Sequence, residues 1–124
     1  MRPDGHKFQR RQTLPYSKGA HYLAARCALE QAGTTIERMD AVKTHNPFAV
    51  NDVLFSRQTG VPLERMNNYG CSLVWGHPQA PMGARAIIEL IEELALRGGG
   101  YGLFTGCAAG DTAMSVVLEV SDRG

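Results

Sequence analysis

MGARAIIELIEELALRGGGYGLFTGCAAGDTAMSVVLEV, residues 82–120, is the stretch whose reading decides the fold class. From Met82 to Arg97 the residues Ala84, Ile87, Ile88, Ile91, Leu94 and Ala95 fall on one helical face, and Glu89, Glu92 and Glu93 on the other. Gly98, Gly99 and Gly100 end that helix. Tyr101, Leu103 and Phe104 then lead through a strand into Gly106 and Cys107. A second strand, rich in Val and Leu, is expected from Thr112 to Val120. An amphipathic helix that hands over to β-strands points to a layered α/β architecture.

Working outward, the upstream sequence repeats the alternation. Ser17 is placed to cap a helix whose buried stripe is Ala20, Leu23, Ala24, Cys27 and Ala28, with Gly33 as its stop. Asp40 to His45 reads as a strand. Pro47 then suits the first turn of a helix from Phe48 to Thr59, which is expected to turn Phe48, Val53, Leu54 and Phe55 toward a core and to close at Gly60. Residues 60–81, punctuated by Pro and Gly, read as loop with a short strand from Cys71 to Val74. The resulting order of helix, strand, helix, loop, helix, strand, strand predicts a mostly parallel sheet covered by helices. Residues 17–124 form that domain. Residues 1–16 form a basic arm, with Arg2, Lys7, Arg10 and Arg11 against Asp4. The arm is read either as a solvated tail or as a contact for a partner chain or nucleotide phosphates.

A net charge of +1 gives no global electrostatic case for nucleic acid or an anionic membrane. No apolar run approaches the ~20 residues that span a bilayer, and the N-terminus lacks a signal-peptide core, so a cytoplasmic location is expected. Cys27, Cys71 and Cys107 are too widely spaced for a zinc site and too few for a disulfide framework. No metal is expected.

Three segments could carry chemistry. In Thr44-His45-Asn46-Pro47-Phe48-Ala49, a His stands where a strand hands over to a helix, the position at which α/β sheets collect ligands. His45 there is either a structural imidazole or a polar group beside developing charge. In Trp75-Gly76-His77-Pro78, Gly lets backbone approach a ligand and Pro fixes the turn that aims His77. In Gly106-Cys107-Ala108-Ala109-Gly110-Asp111, small residues surround a thiol. That segment is either a tight turn with an inert Cys or a set of converging N–H groups around a reactive one.

In this order the segments resemble the C-terminal catalytic motifs of the thiolase superfamily, over residues 18–120. The first block, usually Asn-Glu-Ala-Phe, reads His-Asp-Cys-Phe in the subgroup that includes sterol-carrier-protein thiolases, and here reads His45-Asn46-Pro47-Phe48. The second keeps Gly76-His77-Pro78 and, after Gln79-Ala80-Pro81-Met82-Gly83, ends in Ala84-Arg85. The third keeps Cys107 and Gly110 but has Ala108 and Ala109 where Gly is usual. The resemblance implies a thiolase-like half with a mixed, mostly parallel sheet of five-stranded type, here expected to lack its first strand.

It also implies roles. His77 would activate a nucleophilic Cys and, with the His45 region, form an oxyanion site for an acyl-CoA thioester carbonyl. Cys107 would be the acid/base thiol, the backbone N–H of Ala109 would serve a second oxyanion site, and Gly76, Asn46 and Phe48 would line the substrate site. Coenzyme A would be a substrate, and no resident cofactor is implied. The nucleophilic Cys is expected on an N-terminal half or a partner polypeptide of thiolase N-terminal type. The function implied is the C-terminal catalytic component of an acyltransferase acting on acyl-CoA or 3-ketoacyl-CoA.

Two other readings stay open: a non-catalytic module that binds a partner or an acyl-CoA, and a self-contained cysteine hydrolase using Cys107 with His45 or His77. A ketoacyl-synthase-like relative would lack the thiol of the third block. Because residues 1–16 offer no convincing strand, the chain is expected to dock through that gap and through residues 60–81 within a homo- or hetero-oligomer.

Overall fold

The computed structural model describes residues 19–108 and 112–121. The N-terminal arm, Ser17 and Ala109 lie outside them. Within them the order is α1 (Ala20–Gln31), a 3-10 turn (Ile36–Arg38), β1 (Ala41–Thr44), α2 (Ala49–Thr59), a second 3-10 turn (Leu63–Arg65), α3 (Ser72–Trp75), α4 (Met82–Leu96), β2 (Gly99–Cys107) and β3 (Ala113–Ser121).

The strands form one sheet in the order β1-β2-β3. β1 runs parallel to β2, from Ala41 beside Gly102 to Thr44 beside Thr105. β2 and β3 make an antiparallel hairpin from Gly99 beside Ser121 to Cys107 beside Ala113. The sheet is mixed, as expected. Its described part has three strands rather than five, and the longer ladder is the antiparallel one. The outer edge of β1 is covered by the following loop: Asn67 N–H donates to the Val42 carbonyl at 2.9 Å, beside a bridge between Val42 and Met66.

Side chains alternate across a strand, so adjacent residues of β2 serve two different cores. Leu103 packs with Ala25, Leu29, Met39, Val42, Phe55 and Met66 on one face. Phe104 packs with Ala41, Ala86, Leu90 and Leu94 on the other. The sheet is thus sandwiched between α1 with α2 on one side and α4 on the other.

The helices form where their periodicity places them, but three present a different face from the one expected. In α1 the fully buried residues are Ala24, Ala25 and Leu29, while Cys27 is only half-buried and Ala20 is exposed. In α2 only Phe55 is buried; Phe48, Val53 and Leu54 are exposed. In α4 the buried stripe is Met82, Ala86, Leu90, Glu93 and Leu94, and Ile88 and Ile91 face outward. That helix is apolar around most of its circumference, so the sheet chose the stripe in which Ala86 permits close approach. Glu93 tolerates burial because Asn68 donates to its Oε1 at 2.7 Å and Arg97 at 2.8 Å.

The strand expected from Cys71 to Val74 is a single helical turn instead. The Cys71 carbonyl accepts the N–H groups of Val74 and Trp75, both at 3.0 Å, and Gly76 ends the turn at φ +87°. An apolar run this short satisfies helix and strand equally, and local hydrogen bonding settled it.

Candidate active site

His45 follows the last residue of β1 and stays anchored to the sheet, its backbone N–H donating to the Thr105 carbonyl at 2.8 Å. Beneath it lies Gly106. A Cβ on Gly106 would come within 2.9 Å of His45 Cβ and 2.8 Å of Phe104 Cζ, closer than such atoms approach. Cys107, the next residue, is exposed at the end of β2, and the turn beyond it is closed by Ala108 N–H donating to the Thr112 carbonyl at 2.9 Å.

His77 arrives from the opposite direction, on the loop after α3. Its Nε2 lies 3.1 Å from Nε2 of His45, with ring centroids 4.4 Å apart and the rings tilted by 58°. Both imidazoles are half-buried, and neither Nδ1 finds a hydrogen-bond partner among the described residues. Burial holds the pKa of His45 below its ordinary value, and the neighbouring His77 and His21 press in the same direction. His45 is therefore neutral at pH 7. His21, on the first turn of α1, is also lowered by burial, with Asp52 opposing.

The loops that carry the pair are held by buried polar groups. Asp52, in the first turn of α2, accepts hydrogen bonds from the Thr44 hydroxyl and from the Asn46 carboxamide nitrogen. Asn67, in a left-handed conformation at φ +53°, accepts from Thr44 N–H at 2.9 Å and donates to the Thr44 hydroxyl at 2.8 Å. The Asn46 carbonyl oxygen accepts the N–H of Ser72, the first residue of α3, at 3.1 Å. Buried Lys43 donates to the Gly70 carbonyl at 2.9 Å and to Glu89 at 2.8 Å, fixing the chain just before α3. Burial raises the Glu89 pKa, but hydrogen bonds from Lys43 and Arg85 outweigh it and hold the carboxyl below its ordinary value. Arg85 also lies 5.1 Å from the ring centre of Trp75, which packs over Gly70 where only a glycine fits.

Of the residues singled out from sequence, the structure brings together His45 and His77 and places Cys107 beside the glycine under His45. Gly76 is the left-handed hinge that releases His77 from α3. Asn46 is 1% exposed, with both ends of its carboxamide engaged inside the chain, so it supports the loop rather than opening onto the site. Phe48 is 68% exposed at the start of α2. The sequence reading missed Asp52, Asn67, Thr105 and His21. The one local sign of Asp52 was an acid in a first helical turn, which ordinarily means dipole compensation. The three described thiols are not in disulfide bonds. No group of three His, Cys, Asp or Glu that could hold a metal ion occurs among the described residues. No helix among them is long and apolar enough to cross a membrane.

Two imidazoles thus meet at the end of a parallel strand, with a thiol at the end of the neighbouring one. The family model for the thiolase C-terminal domain matches residues 16–120, and the chain belongs to that family. A 3-ketoacyl-CoA thiolase of Erwinia tasmaniensis is 38% identical over 114 residues, covering 78% of this chain and 26% of the relative. Acetyl-CoA acetyltransferase IA of Candida tropicalis is 35% identical over 100 residues, covering 81% and 25%. The structure of human mitochondrial 3-ketoacyl-CoA thiolase in complex with CoA superposes with a TM-score of 0.77 at 27% identity, over 85% of this chain and 26% of that one. Acat5 thiolase from Ascaris suum, in complex with coenzyme A, gives 0.75 at 26% identity, covering 81% and 26%. The chain thus spans about a quarter of the length of the relatives it matches.

Proposed function

We propose that the chain is the C-terminal catalytic component of a thiolase-like acyltransferase acting on acyl-CoA or 3-ketoacyl-CoA, with the nucleophilic Cys supplied by an N-terminal half or partner polypeptide. The observation that carries this reading is the convergence of His45 and His77 to 3.1 Å between their Nε2 atoms. In thiolytic cleavage the partner's thiolate attacks the 3-keto carbon, and the bond between C2 and C3 breaks. Its electron pair moves onto the leaving thioester as an enolate. The Nε2–H that one ring gives the other in the resting site would turn to the enolate oxygen as it forms, and an N–H donor held there stabilises that charge. A neutral imidazole suits the task because it donates a proton without surrendering it. Cys107 delivers a proton to the enolate carbon and then takes one from the incoming CoA thiol, which attacks the acyl-enzyme. The Ala109 N–H would serve the acyl-enzyme carbonyl.

The outward face of α4, with Ile88 and Ile91, supports a second polypeptide, because neighbouring exposed β-branched residues on one helix are costly in water. Such pairs would assemble further into a homo- or hetero-oligomer.

The test combines the chain with a thiolase N-terminal-type polypeptide and follows thiolysis of a 3-ketoacyl-CoA. His77→Ala and Cys107→Ser are each expected to lower turnover by ~10²–10³ while leaving the melting transition near that of the parent. Undiminished turnover in His77→Ala would remove that residue from the mechanism. Alone, the chain is expected to accumulate no acyl adduct by mass spectrometry. A Cys107 adduct with turnover would favour the hydrolase reading instead.

A further inference from the structure

Asp52 lies outside every motif that marks the site, yet its carboxylate reaches both sequence neighbours of His45. One oxygen accepts from the hydroxyl of Thr44 and the other from the carboxamide nitrogen of Asn46. The far end of the Asn46 carboxamide takes the N–H of Ser72, where α3 begins, and α3 delivers His77 through Gly76. A single carboxylate therefore fastens the loop of His45 and, through one buried amide, the element that brings His77 to it. Asn46 and Thr44 are 1% and 2% exposed, so water cannot replace a lost bond. The arrangement is also polar in a fixed sense. Asn46 has to give its N–H to α2 and its C=O to α3, and an acceptor at position 52 is what enforces that orientation.

We propose that Asp52 is the positioning residue of this site, setting the distance between His45 and His77 by orienting the Asn46 carboxamide that ties their two loops together. The geometric claim stands on the hydrogen bonds alone. Its catalytic consequence rests on the reading that the two imidazoles act together on one oxygen.

The experiment uses the full chain labelled with ¹⁵N-histidine and reads the scalar coupling between the two ring nitrogens across the Nε2–H···Nε2 bond. The parent is expected to show it. Asp52→Ala removes the acceptor of both the Thr44 hydroxyl and the Asn46 carboxamide nitrogen, and the coupling is expected to disappear. Asp52→Asn combined with Asn46→Asp exchanges donor and acceptor while Ser72 N–H still meets a carboxylate oxygen, and the coupling is expected to return. Should Asp52→Ala fail to fold, Ser72→Pro decides the matter. It removes the N–H that Asn46 accepts, together with a hydroxyl that has no hydrogen-bond partner among the described residues, at the first helical position, where Pro is tolerated. The fold is expected to survive and the coupling to vanish. Coupling that persists in folded Asp52→Ala or in Ser72→Pro overturns the proposal, as does a double variant that fails to restore it.

In the complex with the nucleophile-bearing polypeptide, Asp52→Ala is expected to lower kcat by about 10²-fold with a smaller change in KM. Coupling lost with turnover unchanged would leave the clamp standing and overturn instead the role assigned to the imidazole pair.

Discussion

Gly106 carries a constraint out of proportion to its size. It lets His45 approach β2 closely, and any Cβ would be driven into His45 and Phe104 at once. Gly106→Ala is expected to cost ~1–3 kcal/mol as overpacking and, because His45 is one of the two atoms' owners, to lower activity of the assembled enzyme more than its stability. Chemical denaturation beside a turnover assay separates the two. The imidazoles themselves make stability depend on pH. His45 and His21 both titrate below the ordinary value of 6.5 in the folded chain, so the unfolded chain binds more protons just below that pH. Stability is fully present above about 6.5, declines as pH falls toward the lowered folded values, and then levels off. Melting temperatures measured from pH 7.5 downward should show this slope, and His45→Gln should flatten it. An unchanged slope in that variant would place the proton uptake elsewhere.

At the scale of elements, β1, the loop before α3 and α4 are joined by a charge cluster as well as by the packing of Ala41 on α4. Lys43 is 1% exposed and depends on Glu89 and the Gly70 carbonyl, whereas Glu89, 21% exposed, has Arg85 as a second partner. The two ends of the pair should therefore respond unequally to mutation. Glu89→Gln strands a buried ammonium and is expected to cost ~3–5 kcal/mol. Lys43→Met leaves Glu89 with Arg85 and fills the vacated space with a chain of similar volume, so its cost should be clearly smaller. Urea denaturation of both variants checks the order, and the reverse order would mean that Glu89 rather than Lys43 is the costly charge. The same elements show where sequence reading runs short. The 3.6-residue period announced α4 but not which of its apolar sides would meet the sheet, and Ser72-Leu73-Val74-Trp75 looked like a strand until its carbonyl partners were known.

Across the whole molecule, several apolar side chains of the described residues are left exposed, Phe48, Val50, Val53 and Leu54 at α2 among them. Ile88, Ile91 and Leu96 on α4 are exposed, as are Leu73, Val74 and Trp75 on α3. The proposed partner polypeptide would cover this surface. It differs from the docking sites expected from sequence, which were the N-terminal gap and residues 60–81, in adding α4 as a principal contact. Ile88→Glu with Ile91→Glu is expected to make the isolated chain more monodisperse by light scattering, to leave its melting transition nearly unchanged, and to abolish complementation by the N-terminal-type polypeptide. Full complementation by that double variant would show that the partner docks elsewhere.

Apart from α3, the sequence by itself determined the existence and order of the helices and strands, because the periods of 3.6 and 2 are local properties of the backbone. It also determined membership of the thiolase C-terminal family, because His45, Gly76-His77-Pro78 and Cys107 occur in the right order and at the right separations. Only the tertiary structure decided which face each helix buries, since that choice is a competition among surfaces for one sheet. It alone also revealed the frame around the two imidazoles. Asn46 meets Ser72 across 26 residues and Thr44 meets Asn67 across 23, and no local spacing rule encodes a hydrogen bond that forms only after the chain has folded back on itself.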